Sequence, residues 1–255
     1  MKVVILAGGM GSRIEEESKI RPKPMIEIGG RPILWHIMKH YAAYGYTEFV
    51  ICCGYKGYMI KEYFLDYYMR YSNVEFDLNK GSWRYIDSQI EPWTVTMVNT
   101  GLSTNTAGRV LGVRDYLGDE PFMLTYGDGV SDIDIDQLLQ FHQEKKKKLT
   151  ITVTRPEGRF GVVDIEDGSD RIRGFQEKRR SDQGYVNAGF MVCEPEIFDY
   201  LGDGSEMLEQ GPFGRLVEAG EMAGYRLEGF WSPMDNIRDK KYLEGLWQSG
   251  QASWL

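Results

Sequence analysis

The sequence predicts an α/β protein: one domain built on a mixed, mostly parallel sheet flanked by helices. Three observations carry this. The chain opens on a short apolar run, Val3 to Leu6, with no alternation of apolar and polar residues, as in a strand buried on both faces. That run turns at once through Gly8-Gly9-Met10-Gly11. Strand-like and helix-like stretches then alternate, which implies parallel pairing through helical crossovers. With 255 residues the chain suffices for one sizeable domain, and no linker, repeat or low-complexity stretch divides it.

In order, Pro32 to Tyr44 reads as a helix, with proline in its first turn and Gly45 just past its end. Glu48 to Cys53 is the second strand and Lys56 to Tyr68 the next helix. The aromatic and polar stretch from Tyr71 to Trp93, broken by Gly81 and Pro92, reads as an excursion of short strands outside the core. Val95 to Val98 is a strand, Val110 to Tyr116 a helix, and Phe122 to Thr125 a buried strand. Ile135 to Lys145 is an amphipathic helix, and the lysines 145–148 suit its C-terminal dipole better than a nucleic-acid contact. Leu149 to Val153, Val162 to Ile165, Ile172 to Gln176 and Val186 to Val192 follow as strands with some antiparallel pairing. Gly214 to Glu221 and Ile237 to Trp247 read as the last helices.

Charge and cysteine content narrow the function classes. A net charge of −8 argues against general nucleic-acid binding, yet a local Arg/Lys cluster can still hold a small anion. Cys52 and Cys53 are adjacent on a strand and point to opposite faces, so they are not expected to bridge. An odd count of three cysteines without metal spacing fits reduced thiols in a cytoplasm. The sequence predicts no signal peptide and no membrane span.

The chemistry starts where the first strand ends. Leu6, Ala7, Gly8, Gly9, Met10, Gly11, Ser12 and Arg13 form a glycine-rich turn closed by a cation, and Pro22-Lys23-Pro24-Met25 follows. Glycines free the backbone to turn its N–H groups onto phosphate oxygens. Arg13 offers a bidentate charge and Lys23 a mobile one. Neither the Walker loop nor the dinucleotide fingerprint fits, because the third glycine of the latter would fall on Ile14. This argues against a dinucleotide-dependent oxidoreductase.

Two carboxylates stand in turn-like contexts. Asp128, in Tyr126-Gly127-Asp128-Gly129 after a buried strand, reads either as a metal ligand or as part of a tight turn. Asp235, before the last helix, reads as a ligand or as that helix's N-cap. Together with substrate oxygens the pair would satisfy Mg²⁺. Thr100, Gly101, Thr104 and Arg109 lie in a Thr/Asn/Gly-rich loop suited to a base, a ribose or a phosphate, though Arg109 could instead pair with a carboxylate. His36 and His40 stand four apart on a helix but lack a third metal ligand, so a structural role is expected. The aromatic stripe of the last helix, Tyr242 to Trp247, reads as core or subunit contact.

The pattern G-G-x-G-x-R followed by P-K-P-M resembles the sugar-1-phosphate nucleotidylyltransferases, and the resemblance covers almost the whole chain. It implies a Rossmann-like fold of the nucleotide-diphospho-sugar transferase type. It further implies Arg13 and Lys23 as catalytic cations, and Asp128 and Asp235 as Mg²⁺ ligands. Glu177, Lys178 and Asn187 are implied at the sugar phosphate. Retention of Arg13, Lys23, Asp128 and Asp235 together speaks against a non-catalytic regulator that kept only the fold. Within the family, Gly30 to His36, Cys52 to Lys56, Glu91-Pro92-Trp93 and Phe230 to Asp235 are similar to the subgroup that joins CTP to glucose 1-phosphate. The resemblance implies a homo-oligomer that supplies CDP-glucose for deoxysugars of surface polysaccharide. Two residues depart from the pattern: Arg179 where proline is expected after Glu177-Lys178, and Ala107 where glycine is expected. A methyl at Ala107 has room either to narrow the nucleotide loop or to shift its selectivity.

Overall fold

The computed structural model describes residues 1–11, 14–88, 90–155, 162–165, 172–176 and 184–255. The first strand, β1 (Val3–Ala7), is buried at every position. It leads through α1 (Glu15–Ser18) and a ribbon of two short strands, β2 (Glu27–Ile28) and β3 (Arg31–Pro32), into α2 (Ile33–Ala43). Then come β4 (Glu48–Cys53), α3 (Gly57–Leu65), α4 (Tyr67–Tyr71) and the hairpin β5 (Ser72–Asp77) and β6 (Ser82–Ser88). β7 (Thr94–Asn99), α5 (Thr106–Leu111), β8 (Phe122–Tyr126), β9 (Gly129–Ser131) and α6 (Ile135–Lys145) complete the first half. The second half holds β10 (Leu149–Thr154), β11 (Val162–Ile165), β12 (Ile172–Gln176), β13 (Val186–Cys193), α7 (Pro212–Glu218), β14 (Met222–Arg226), β15 (Trp231–Pro233) and α8 (Ile237–Gln248).

Seven strands form one sheet in the order β14-β10-β13-β8-β1-β4-β7. β1 pairs in parallel with β4 and β8, β4 with β7, and β10 with β14; β13 alone runs against its neighbours. The predicted mixed, mostly parallel sheet is therefore observed. Period-two alternation divides the core between the two faces. Val3, Ile5, Ala7 and Cys53 pack under α2 and α8. Val4, Leu6 and Cys52 pack under α5 and α7. The adjacent cysteines face opposite sides as expected, and all three cysteines are free and buried. The C-terminal ends of β1, β4, β7 and β8 lie along one edge, and this edge carries the loops that matter below.

Some boundaries differ from the sequence reading. The expected helix from Val110 to Tyr116 begins at Thr106 instead and ends at Leu111, with a separate 3-10 turn at Arg114–Tyr116. Thr106 and Ala107 read as loop, but they pack against the segment before α7: Leu208 N–H donates to Thr106 Oγ1 at 2.7 Å, and Ala107 is fully buried. The expected long helix from Lys56 breaks at Asp66 into α3 and α4. β2, β3, β9 and β15 are too short to show a period, and β14 is one of the sheet's two edge strands and has no buried residue.

Among the described residues no helix is long and apolar enough to cross a membrane. The histidines of α2 serve the core. His36 Nε2 lies 2.8 Å from the Ile28 carbonyl and its Nδ1 accepts Trp254 Nε1–H at 3.2 Å. His40 lies against the carbonyls of Ile133 and Trp254. In the aromatic stripe of α8, Leu243 is buried and Trp247 packs against His36, while Tyr242 is exposed.

Candidate active site

β1 ends against the loops that follow β4 and β7, and this explains a glycine after each of β1 and β4, Gly8 and Gly54. A Cβ on Gly8 would lie 2.1 Å from Arg109 Nη1, and one on Gly54 would lie 2.5 Å from the Gly8 carbonyl oxygen. Gly9 has open space on the side where a Cβ would project, so its backbone can be approached closely. Gly11 has φ of +64°, which glycine adopts without strain. Ser12 and Arg13 lie outside the described residues.

Lys23 is placed by a single 3-10 turn, Lys23–Met25, started by Pro22. Pro24 packs where Gly127 leaves room, 3.2 Å from the position of a Cβ there. The Lys23 side chain is 10 % exposed, and its Nζ donates to Asp128 Oδ2 and Asp235 Oδ1, each at 2.7 Å. The carboxylates meet because β9 pairs with β15, setting Gly129 opposite Pro233. Met234 N–H then donates to the Asp128 carbonyl at 2.8 Å. Burial alone would push Lys23 down, but Asp128 and then Asp235 outweigh it and hold the ammonium above its ordinary 10.5.

The competing reading of Asp235 as a helix cap is overturned. Asn236 caps α8: its side chain accepts Asp239 N–H at 3.0 Å, and Asp239 Oδ2 accepts Asn236 N–H at 3.2 Å, a reciprocal capping box. The Asp235 carboxylate turns instead to Lys23, while its backbone N–H donates to Asp239 Oδ2 at 2.9 Å. Two carboxylates converging on one cationic atom, 35 % and 24 % exposed, suit a hard divalent ion that takes its other oxygens from substrate or water. Among the described residues no group of three or more His, Cys, Asp or Glu side chains gathers as a closed metal site.

The Arg109 guanidinium is engaged by the fold, and among the described residues it pairs with no carboxylate. It is 4 % exposed. Its Nη1 donates to Thr100 Oγ1 and the Gly101 carbonyl, both at 2.8 Å, and its Nη2 to the Gly8 carbonyl at 3.0 Å. The guanidinium fork thereby ties the glycine loop to the Thr100 loop. Thr100 Oγ1 in turn donates to the Cys53 carbonyl at 2.9 Å. Gly101 has φ of +96°, and a Cβ there would meet Thr104 Oγ1 at 2.4 Å. The Ala107 methyl is buried in the core cluster beneath α5.

Asn187 stands at the start of β13, where its Nδ2 donates to the Tyr126 hydroxyl at 3.2 Å and its Oδ1 accepts Gly189 N–H at 2.9 Å. Tyr126 donates on to Glu209, whose other oxygen lies 3.5 Å from Thr106 Oγ1. Glu209 carried no sequence signal: it lies outside every motif, and only the packing of its loop on α5 brings it here. Glu177 and Lys178 lie outside the described residues.

A glycine-rich strand end, a lysine clamped between two carboxylates and a braced polar loop on one sheet edge define a phosphate-handling α/β protein. Residues 2–232 match the nucleotidyl transferase family, and the chain belongs to it. It is 49 % identical over 255 residues to glucose-1-phosphate cytidylyltransferase of Salmonella typhi, covering 100 % of this chain and 98 % of that one. A mannose-1-phosphate guanyltransferase of Hypocrea jecorina is 29 % identical over 96 % of this chain and 63 % of its own length. The fold is also similar to UDP-glucose pyrophosphorylase from Acinetobacter baumannii, with a TM-score of 0.69 at 16 % identity, covering 98 % and 95 % of the two chains.

Proposed function

We propose that the chain joins CTP to α-D-glucose 1-phosphate, giving CDP-glucose and pyrophosphate. A phosphate oxygen of the sugar phosphate attacks the α-phosphorus in line. The new P–O bond forms as the α–β bridging P–O bond breaks, and pyrophosphate leaves with the bonding pair. The nucleophile is already an anion, so the site needs positioned cations and no general base. The observation that carries this reading is the Lys23 ammonium held by Asp128 and Asp235 beside the glycine loop. The nearly full-length likeness to the Salmonella enzyme supports the choice of substrates.

Mg²⁺ bound by Asp128 and Asp235 would offset charge on the triphosphate. Lys23 would exchange carboxylate oxygens for phosphate oxygens, whose negative charge favours the ammonium as the carboxylates do. Arg109 keeps the loops at Gly8 and Thr100 at a constant spacing around the nucleotide. Arg13 supplies a second cation on the triphosphate. Glu177, Lys178 and Asn187 hold the sugar phosphate. A reducing cytoplasm suits the three buried thiols.

The test is pyrophosphate release in a matrix of four nucleoside triphosphates against several sugar 1-phosphates, with and without EDTA. CTP with glucose 1-phosphate is expected to lead, and EDTA to stop it. A clear preference for dTTP or UTP would overturn the base assignment and leave the family chemistry standing. Equal turnover in EDTA would overturn the metal.

A further inference from the structure

Lysine is an unfavourable residue at position 56. The turn after β4, Gly54-Tyr55-Lys56, places it in the left-handed region at φ of +49°, as the N-cap of α3. A residue with a Cβ is strained there, and glycine is not. A helix N-cap favours a short side chain that accepts a hydrogen bond, and a helix N-terminus disfavours a cation. Lys56 breaks all three preferences at once. A residue kept against its local preferences is held by contacts elsewhere.

Those contacts are with α1, the helix that follows the glycine loop. Lys56 Nζ donates to the Lys19 carbonyl, and the Tyr55 hydroxyl donates to the Ser18 carbonyl at 3.2 Å. Carbonyls at a helix C-terminus take their donors from outside the helix, and a cation suits that end. The ammonium also lies 5.3 Å from the Tyr55 ring centroid, which joins the two side chains. The same turn grips the end of β1: Tyr55 N–H donates to the Gly8 carbonyl at 3.1 Å, beside the bond from Arg109 Nη2. The Gly8–Gly9 peptide is trans, so two donors on its oxygen fix the Gly9 N–H pointing the opposite way. The grip on α1 reaches Lys23 as well. A Cβ on Gly11 would lie 3.3 Å from Ser18 Cβ and 3.3 Å from Lys23 Cβ, so Gly11 packs between them.

We propose that Tyr55 and Lys56 are positioning residues for the nucleotide, a clamp that holds Gly8, Gly9, Gly11 and Lys23 in their arrangement. The clamp rests on the nucleotidyl transfer reading of the site. Arg109 braces the glycine loop against the Thr100 loop, Tyr55 and Lys56 brace it against α1, and the two braces meet at the Gly8 carbonyl.

Lys56→Gly tests this, because glycine relieves the backbone and removes the ammonium. Lys146→Gly is the matched control: Lys146 stands at φ of +51° as the C-cap of α6, and it is exposed. Both variants should keep or raise Tm. Isothermal titration calorimetry uses the nucleoside triphosphate that the unmodified chain turns over fastest, with Mg²⁺. Only Lys56→Gly should weaken its binding, by roughly ten-fold, the loss of one hydrogen bond from a charged donor. Tyr55→Phe should weaken it several-fold, and Lys56→Arg, which keeps a cationic donor, should retain most of the affinity. Hydrogen exchange without nucleotide gives a second reading: Lys56→Gly should lower protection of residues 8–11 and 14–19 at unchanged Tm. A Lys56→Gly chain that keeps both affinity and protection, or equal weakening by Lys146→Gly, would overturn the clamp and leave the nucleotidyl transfer reading standing. An unmodified chain that turns over no nucleoside triphosphate would overturn that reading, and the clamp with it.

Discussion

Removing the Lys23 ammonium isolates the electrostatics of the site. In Lys23→Met the aliphatic stem stays and the charge goes. Asp128 Oδ2 and Asp235 Oδ1 each lie 2.7 Å from Nζ, so they stand no more than about 5.4 Å apart. Two unit charges at that separation, in an effective dielectric of about 20, repel by about 3 kcal/mol. Both carboxylates are a quarter to a third exposed, so water and salt reduce this to about 1–2 kcal/mol. For a chain of this length that is a fall in Tm of about 2–8 °C. Differential scanning fluorimetry reads it, and Mg²⁺ should restore stability more in the variant than in the unmodified chain, because a divalent ion relieves the same repulsion. Turnover should fall roughly 10²–10³-fold, more in kcat than in KM. Unchanged Tm, no added response to Mg²⁺ and near-normal kcat/KM would refute the reasoning and leave Lys23 as a part of the fold only.

Three further substitutions and one change of condition test the same structure. Asp235→Asn should hold Tm within a few degrees and lose most activity, whereas Asn236→Ala should cost about 1 kcal/mol of stability with activity per folded molecule retained; the reverse pattern would return the capping role to Asp235. Arg109→Ala removes the buried fork between the Gly8 and Thr100 loops. It should lower stability by about 2 kcal/mol or more and weaken nucleotide binding, which a thermal melt with nucleotide titration checks. Burial lowers the pKa values of His36, His40 and His142, the only histidines in the chain. Their contribution is therefore complete above the unfolded value of about 6.5 and is lost as pH falls below it, because the unfolded chain then binds protons that the native state refuses. Thermal melts between pH 8 and pH 5 should show Tm falling below about pH 6.5, and a Tm that rises there would contradict the burial argument.

The elements that position the site were legible because their signals are local. Val3 to Ala7 is buried on both faces and carries no alternation, and α6 shows its period and its boundaries directly. Glu48 to Cys53 ends where its apolar run ends. The phosphate end was legible because glycine and proline restrict the backbone at fixed positions. The rest depends on contacts between distant residues. Whether Asp235 caps a helix or meets Lys23 turns on the β9–β15 pairing, whose strands are too short to show a period. Arg109 looked like a phosphate cation, and only the approach of Gly8 and Gly101 around its guanidinium makes it a brace. Glu209 reaches Tyr126 only because its loop is bonded to the first turn of α5.

In the proposed reaction the sugar phosphate attacks the α-phosphorus of the nucleotide at a site built on Lys23, Asp128 and Asp235. A ³¹P NMR time course of the chain with CTP, glucose 1-phosphate and Mg²⁺ reads every phosphorus species at once. The account predicts CDP-glucose and pyrophosphate appearing in equal amounts, with no CDP, CMP or orthophosphate, and arrest of the reaction on addition of EDTA. Orthophosphate with CDP, or CMP without the sugar nucleotide, would place the attack or the nucleophile elsewhere and contradict it.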